Sequence, residues 1–280
     1  MNSPDLPIGV FDSGVGGLTV VRALRNALPA EDLVYLGDTA RVPYGTRSPS
    51  TVQRYAQRVA GHLVRRGVKA LVVACNTATT YAIEELIKVG KQRGIPVIGV
   101  IEPGVEAALQ VTKGHVGIIG TEGTIRGGAY TTLLRARDPE LVISAKACPL
   151  FVALAEEGWT DDDIARAVAV RYLSDLTDGP DTLILGCTHY PLLTDAIASV
   201  LPGVALVDSA TSTAQAVSEA LVSQNLSKSG GVGTTRFLVT DNEQRFVEAG
   251  TRFFGVAPHP TELIDLDDRD QAAWSTEVSV

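Results

Sequence analysis

The sequence predicts an α/β fold with two similar domains, each a mainly parallel sheet flanked by helices. We expect the domains to be related by a pseudo-twofold duplication, with the active site in the cleft between them. Three observations predict this. Short β-rich runs alternate with amphipathic segments along all 280 residues. The hydrophobic content is 45% but only 5% is aromatic, as in helix-covered parallel sheets. Finally, the chain resembles itself at a nearly constant offset.

Short apolar runs rich in β-branched residues, each followed by a small or polar residue, predict buried strands. They are Ile8–Phe11, Leu33–Leu36, Ala70–Ala74, Val97–Val100, Val116–Ile119, Leu183–Leu185, Ala205–Val207 and Phe237–Val239. Between them, apolar residues spaced three and four apart predict helices. These are Leu18–Leu28, Ser50–Arg66, Ala78–Gln92, Gly128–Ala136, Asp161–Leu176, Thr213–Val222 and Glu243–Phe253. The acidic end of the chain, Asp265–Val280, predicts a mobile tail.

The internal similarity joins two pairs of segments. Ile8–Gly17 (IGVFDSGVGG) resembles Val116–Thr124 (VGIIGTEGT), and Leu71–Thr77 (LVVACNT) resembles Leu183–His189 (LILGCTH), at nearly equal offsets. Ligands of open α/β sheets bind beyond the carboxyl ends of the strands, so two such halves would enclose a cleft between these turns. We expect residues 1–97 and 207–280 to form one domain, and residues 98–206 to form the other.

Charge and composition exclude several classes of partner. A net charge of −8 gives no basic footprint for nucleic acid or an anionic membrane. The first residues lack a basic segment followed by an apolar one, and no stretch reaches the roughly 18 apolar residues of a membrane span. We therefore expect a cytoplasmic protein. Its three cysteines have no CxxC spacing, so neither a disulfide framework nor a metal site is expected.

Two of those cysteines are candidates for chemistry. Cys75 and Cys187 each follow an apolar strand and precede hydroxyl or amide side chains where a helix is expected to begin. A helix N-terminus lowers the pKa of a thiol, so reactive thiols are expected. Either cysteine alone would be more typical of a small core residue. Two in matching turns of a repeat favour paired chemistry, whereas Cys148 has no such setting and is expected in the core.

The turn after the first strand offers a second candidate. Asp12, Ser13 and the glycines that follow precede a helix, which is typical of an anion site and raises a nucleotide-binding alternative. The spacing does not match a dinucleotide fingerprint, and the carboxylate would repel a phosphate. A zwitterion whose ammonium group pairs with Asp12 fits better. The competing interpretation of Asp12 and Ser13 is an ordinary helix N-cap.

His189 and the PYG turn complete the local candidates. His189 lies two residues after Cys187 and could hold that thiol as a thiolate or carry protons near neutral pH, although a buried structural histidine is an alternative. Tyr44 and Gly45 could present backbone donors to a ligand carboxylate. Turn chemistry alone also explains them.

Taken together, these motifs resemble those of glutamate racemases, members of the aspartate/glutamate racemase superfamily. The stretches are DSGVGGLTV at Asp12–Val20, PYG at Pro43–Gly45, ACNTAT at Ala74–Thr79 and GCTHYP at Gly186–Pro191. Two further segments are similar: GTEGTIRGGAY at Gly120–Tyr130 and CPLFVALAEEG at Cys148–Gly158, which resembles the segment with the family's catalytic glutamate. The resemblance spans the chain from Ile8 to about Gly255.

The resemblance implies interconversion of L- and D-glutamate without pyridoxal phosphate, metal or other cofactor, to supply D-glutamate for peptidoglycan. It implies that Cys75 takes the α-proton of D-glutamate and Cys187 that of L-glutamate. Asp12 would assist Cys75, while His189 and Glu156 would assist Cys187. The implied substrate-binding residues are Asp12, Ser13, Tyr44, Gly45, Asn76, Thr77, Thr121, Thr188 and His189. We also expect a homodimer.

Two competing functions remain open at this point. An aspartate racemase is the nearest, but that branch typically reads CTE at the second motif, so His189 favours glutamate. An amino-acid binding module shares a two-lobed α/β architecture yet has no use for two opposed thiols. Replacement of either cysteine would leave such a module nearly unaffected.

Overall fold

Two parallel sheets covered by helices make up the chain, which a computed structural model describes over residues 2–177 and 179–274. The strands are β1 (Ile8–Asp12), β2 (Leu33–Gly37), β3 (Ala70–Val73), β4 (Val97–Gly99), β5 (His115–Gly120), β6 (Val142–Ala147), β7 (Thr182–Gly186), β8 (Ala205–Asp208), β9 (Thr235–Val239) and β10 (Thr261–Leu263). The helices are α1 (Leu18–Ala27), α2 (Pro49–Arg65), α3 (Asn76–Arg93), α4 (Ile101–Val111), α5 (Glu122–Gly127), α6 (Ala129–Arg137), α7 (Leu150–Glu157), α8 (Asp163–Leu173), α9 (Thr194–Val200), α10 (Ser209–Ser223), α11 (Glu243–Phe254) and α12 (Asp268–Ala273). None of the helices in this part of the chain is long and apolar enough to cross a membrane.

The strand order repeats. The six-stranded sheet has the order β10-β9-β2-β1-β3-β4, and the four-stranded sheet has the order β6-β5-β7-β8. All their pairings are parallel. The unit β2-β1-β3-β4 therefore recurs as β6-β5-β7-β8, in agreement with the internal similarity of the sequence. The predicted fold class is confirmed.

Sheet membership alternates along the chain. Strands β1 to β4 belong to the first sheet, β5 to β8 to the second, and β9 and β10 return to the first. We call the first sheet with its helices the first lobe, and the second sheet with its helices the second lobe. The exact domain limits, residues 1–97 with 207–280 and residues 98–206, stay a prediction. Helix α10 packs against both α1 and α4, and its apolar face belongs to a core that is continuous from one lobe to the other.

Local sequence signals fix where several of the helices begin. Cys75 is the N-cap of α3, Thr121 that of α5 and Asp208 that of α10, and each side chain accepts a hydrogen bond from a backbone N–H of the first turn. Helix α2 begins in the same way after Ser48, with a proline at its first position, where a missing N–H costs nothing. Strand ends and helix starts thus bring polar side chains to one edge of each sheet.

The sequence patterns missed seven elements, which are β6, β10, α4, α5, α7, α9 and α12. The physical reason is clear for α4 and β6. Helix α4 carries Pro103 in its first turn, close to the predicted domain boundary after residue 97. A proline in the first turn is compatible with a helix, because the first N–H groups have no intrahelical partner. Strand β6 (VISAKA) is an edge strand whose side chains are all exposed or half-buried, so it lacks the apolar run by which the other strands were identified.

The prediction of a mobile acidic tail is wrong for the part that the structure describes. Asp267 and Asp270 form a capping box at the start of α12, and the buried Asp270 pairs with Arg65 on α2 at 2.6 Å. Gly61 of α2 lets the two helices touch, since a side chain there would collide with the backbone of Asp270. The acidic residues are thus helix caps and ion-pair partners. The remaining predicted tail, residues 275–280, lies outside the described residues.

Candidate active site

The predicted site residues, with the exception of Glu156, meet at one small cavity between the two lobes. Its lining is Asp12, Ser13, Val42, Pro43, Tyr44, Gly45, Cys75, Asn76, Thr77, Thr121, Val152, Cys187, Thr188 and His189. The cavity holds about 30 Å³, which is room for a water molecule but not for an amino acid. We therefore expect the lobes to separate when a ligand enters. A larger groove of about 1370 Å³, bordered by α3, α4 and α10, contains neither Cys75 nor Cys187, so size does not identify the site.

Cys75 lies at the carboxyl end of β3 and is only 5% exposed. Its Sγ accepts a hydrogen bond from the backbone N–H of Ala78 at 3.4 Å and one from the hydroxyl of Ser13. Burial, and next the neighbouring Asp12 carboxylate, raise the pKa of this thiol well above its usual range. The predicted lowering of the thiol pKa by the helix start is wrong here, because these donors do not offset the loss of solvation.

We expect alkylation of Cys75 in the ligand-free protein to follow this raised pKa. Alkylation requires the thiolate, so the rate should climb with pH and have its midpoint above that of an ordinary cysteine at about 8.5. The measurement is the rate of iodoacetamide labelling at Cys75, followed by peptide mass spectrometry from pH 6 to 11. Asp12→Asn removes one cause of the shift and should move the midpoint down. A midpoint at or below that of free cysteine would contradict the account.

Asp12 ends β1 with its two carboxylate oxygens in different roles. Oδ2 accepts hydrogen bonds from the backbone N–H groups of Gly14 at 3.2 Å and Gly17 at 3.0 Å. Oδ1 is buried and has no hydrogen-bond partner within the described chain. The N-cap interpretation of Asp12 and Ser13 is wrong, because Gly17 is the N-cap of α1 and no side chain caps this helix. A buried carboxylate oxygen without a donor is suited to receive a ligand ammonium group.

Cys187 has a different partner set. Its Sγ lies 3.8 Å from His189 Nδ1, and His189 Nε2 lies 3.1 Å from Glu156 Oε1. Glu156 stands behind the histidine and does not line the cavity, while the neighbouring Glu157 is 59% exposed. The turn after Cys187 leads into a short 3-10 helix, Tyr190–Leu193, so the second thiol lacks the α-helix start that Cys75 has. The two cysteines thus have matching positions but distinct surroundings.

Cys187, His189 and Glu156 form a group that we call the Cys187 triad. The electrostatics of this triad favour a charged His189. Burial by itself would lower the pKa of His189, but hydrogen bonds to Cys187 and Glu156 outweigh it and raise that pKa to about 10. Burial likewise opposes ionisation of Glu156, yet the hydrogen bond and charge of His189, followed by Arg245, leave the pKa of this carboxyl below its usual value. At neutral pH an imidazolium held by a carboxylate therefore faces the sulfur of Cys187.

Hydroxyl and amide side chains connect the lobes next to the thiols. Thr77 Oγ1 lies 2.9 Å from Thr121 Oγ1 and 3.1 Å from Thr124 Oγ1 on the opposite lobe. The hydroxyl of Tyr130 donates to Asn76 Oδ1 at 2.7 Å. Asn76 Nδ2, by contrast, is buried and makes no hydrogen bond to the described residues. It is a donor available for a ligand carboxylate, complementary to the free oxygen of Asp12.

The PYG turn is held in place by a residue that the sequence patterns did not identify. Asp38 follows β2 and is fully buried; its Oδ2 accepts from the Tyr44 hydroxyl at 2.6 Å and its Oδ1 from Arg41 at 2.7 Å and Thr240 at 2.9 Å. Gly45 is required at its position, because a Cβ there would lie 2.7 Å from the Cβ of Thr121. The sequence signal that could have identified Asp38 is its position just after β2, which is comparable to that of Asp12 at the end of β1.

Cys148, as expected, lies in the core and does not line the cavity. Burial raises the pKa of its thiol to about 12. Its carbonyl oxygen accepts the hydroxyl of Tyr190 at 2.8 Å, so the backbone here supports the turn that follows Cys187. Within residues 2–177 and 179–274, no group of three or more His, Cys, Asp or Glu side chains could hold a metal ion.

Two thiols from the repeated half-sheets line this one cavity, which is the setting of an amino-acid racemase of the α/β class. Comparison with known families agrees. The Asp/Glu/Hydantoin racemase family matches residues 8–217, and the chain belongs to it.

Similar proteins cover nearly the whole chain. The glutamate racemase of Geobacter metallireducens is 52% identical over 252 residues, which are 89% of this chain and 92% of that protein. The crystal structure of the Francisella tularensis glutamate racemase in complex with D-glutamate has a TM-score of 0.90 and 38% identity, covering 95% of this chain and 99% of that one. The Thermus thermophilus glutamate racemase in complex with β-chloro-D-alanine has a TM-score of 0.85 and 47% identity, with the same coverage.

Proposed function

We propose that the protein interconverts L- and D-glutamate by a two-base mechanism in which Cys75 and Cys187 act on opposite faces of the α-carbon. The observation that carries the proposal is the shared cavity, into which repeated strand ends deliver one thiol each, with Asp12 beside Cys75 and His189 beside Cys187. The similarity to glutamate racemases, one of them bound to D-glutamate, supports glutamate as the substrate.

The proposed reaction balances without an electron sink. From L-glutamate, the Cys187 thiolate takes the α-proton and becomes a thiol, and the resulting carbanion is planar. The Cys75 thiol then gives its proton to the other face and becomes a thiolate, which leaves D-glutamate in the cleft. The enzyme ends in the protonation state needed to deprotonate D-glutamate, so the return reaction uses the same groups in reverse.

Charge in the cleft would be met by groups already in place. The substrate ammonium group would pair with the free Oδ1 of Asp12, which removes part of the repulsion that raises the pKa of Cys75. Carboxylate oxygens would accept hydrogen bonds from Asn76 Nδ2 and from the substrate-binding hydroxyl and backbone groups. These are Ser13, Thr77, Thr121 and Thr188, with the backbone of Tyr44 and Gly45. Preorganised donors in a closed cleft stabilise the developing carbanion better than water does.

A direct assay tests the proposal. Purified protein incubated with L-glutamate should abolish its circular dichroism signal over time, and D-glutamate should give the mirror-image curve. Because the mechanism uses only protein groups, the rate should persist with a metal chelator and with a carbonyl reagent that traps pyridoxal phosphate. L-Aspartate in the same assay separates the rival substrate. No change in the glutamate signal, or complete loss of activity with either reagent, would refute the proposal.

We also propose a role for the product in the cell and an oligomeric state for the enzyme. The D-glutamate produced would supply peptidoglycan synthesis, and the active species would be a homodimer. Both derive from the resemblance to glutamate racemases. The first is tested by growth of a bacterial strain that requires D-glutamate for its cell wall, when that strain expresses this chain. The molar mass by light scattering at assay concentration tests the second.

A further inference from the structure

Helix α11 of the first lobe reaches across the cleft to the residue behind His189. Arg252 Nη1 donates a hydrogen bond to the backbone oxygen of Glu156 at 2.8 Å. That oxygen is one of the last carbonyls of α7 and has no partner inside the helix. A Cβ at Gly158, where α7 ends in the left-handed region, would lie 2.7 Å from Arg252 Nε, so the guanidinium covers this helix end closely. A cation at a helix C-terminus is favourable.

The same helix also approaches the Glu156 side chain. Arg245, two turns before Arg252 on α11, places Nη2 3.9 Å from Glu156 Oε2 and 3.7 Å from Glu157 Oε1. The other oxygen of Glu156, Oε1, is the one that meets His189. Arg252 therefore fixes the backbone at Glu156, and Arg245 faces the carboxylate oxygen that is turned away from the histidine.

A third contact of α11 reaches the histidine itself. The ring of Phe253, the residue after Arg252, packs edge-to-face on the His189 ring with a centroid separation of 5.1 Å. The charged and titratable groups that face His189 are Cys187 on its own loop and Glu156 on α7, with Arg245 of α11 beyond the carboxylate. Helix α11 thus contacts the far side of the Cys187 triad, whereas Cys75 depends on a separate set of groups from α3 and the turn after β1.

We infer that Arg245 and Arg252 are positioning residues for the Cys187 half of the reaction, acting as a clamp from the first lobe that holds Glu156 against His189. Release of the clamp should weaken the carboxylate–imidazolium pair and leave Cys187 less able to act as a base. The Cys75 half should be spared. The inference rests on the proposed function for its kinetic consequence, but its chemical consequence can be measured without turnover.

The first experiment compares the two thiols within one molecule. Wild type, Arg245→Gln, Arg252→Ala and the double variant are labelled briefly with iodoacetamide at neutral pH, and the ratio of Cys187 to Cys75 modification is measured by peptide mass spectrometry. A substitution that loosens the cleft makes both thiols more accessible to iodoacetamide. The ratio of their modification therefore corrects for changes in reagent access. We expect the ratio to fall about tenfold in the double variant, the effect of losing about one charge-assisted hydrogen bond. Arg252→Lys, which keeps a cationic donor, should restore part of it.

The second experiment uses β-chloroalanine, whose elimination of HCl needs a single base. The base takes the α-proton, the C–Cl bond breaks and chloride departs, which gives 2-aminoacrylate. Water then hydrolyses 2-aminoacrylate to pyruvate and ammonium. The double variant should lose about tenfold in kcat for the L-enantiomer and stay within about twofold for the D-enantiomer. Arg171→Gln, an exposed arginine of α8, is the control and should change neither.

The outcomes separate the two proposals. An unchanged labelling ratio, or equal losses on both enantiomers, would overturn the clamp even if wild type racemises glutamate. A fallen labelling ratio in a protein that does not racemise glutamate would support the clamp and refute the proposed function. Retained D-enantiomer turnover also shows that the variants are folded.

Discussion

Replacement of either Cys75 or Cys187 by serine is expected to lower glutamate racemisation by about 10²- to 10⁴-fold, the range for loss of a general acid or base. In the proposed mechanism each thiol removes a proton in one direction and returns one in the other. A serine hydroxyl is far too weak an acid to form the required anion near neutral pH. Loss of either residue should therefore stop racemisation from both enantiomers, measured by circular dichroism at saturating substrate.

Elimination separates the two thiols where racemisation cannot. Because expulsion of chloride requires no reprotonation, Cys75→Ser should still process β-chloro-L-alanine through Cys187, and Cys187→Ser should still process the D-enantiomer through Cys75. The D-form is the compound bound in the Thermus thermophilus structure. Pyruvate release from each enantiomer by each variant is the measurement.

Cys148→Ser is the matched control for both assays, since that thiol lies in the core away from the cavity. It should fold and racemise at a rate near that of wild type. If each cysteine variant kept the opposite enantiomer, the assignment of Cys75 to D-glutamate and Cys187 to L-glutamate would be reversed. If both lost both eliminations equally, the two-base proposal would fail.

The sequence predicted the central strands and the residues at their ends, because these depend on local patterns. Strands β1, β3 and β7 are runs of fully buried residues; Asp12 ends β1, and Cys75 and Cys187 follow β3 and β7. The spacing of apolar residues and the local composition suffice to predict an element that is buried on both faces. The edge strand β6 and the helix α12 escaped prediction, because their stability comes from a neighbouring strand and from ion pairs with α2 that no local window contains.

The site shows the same division between local and distant information. The motifs predicted which residues line the cavity. They did not predict which residues there would be hydrogen-bond or charge partners of each other. The direction of the pKa shift at Cys75 depends on burial and on Asp12, which lies 63 positions earlier, beyond the reach of the helix-start argument. Likewise Arg245 and Arg252 resembled ordinary surface residues of an amphipathic helix. Only the approach of α11 to α7 gives them a role.

A substitution at Gly16, in the turn between β1 and α1, is expected to have the second large effect on turnover, because of its contacts across the closed cleft. A Cβ at this position would collide with Thr188 Oγ1 and with His189 Nδ1, which belong to the other lobe. Gly16→Ala should therefore prevent the lobes from closing and displace the imidazole that faces Cys187. A misplacement of about 1 Å costs on the order of 10²-fold in rate, so we expect kcat for glutamate to fall at least that far.

We expect the same substitution to leave folding almost intact, because separation of the lobes would relieve the collision with Thr188 and His189. The melting temperature should therefore change by no more than a few degrees, corresponding to about 1 kcal/mol or less. Gly14→Ala in the same turn is the control: its Cβ would meet only Val42 of the same lobe, with Cγ2 at 3.1 Å. Its kcat should stay within about threefold of wild type. Wild-type turnover by Gly16→Ala would show that catalysis does not pass through this closed arrangement, whereas a collapsed melting temperature would place the contact in the folded core instead of the moving cleft.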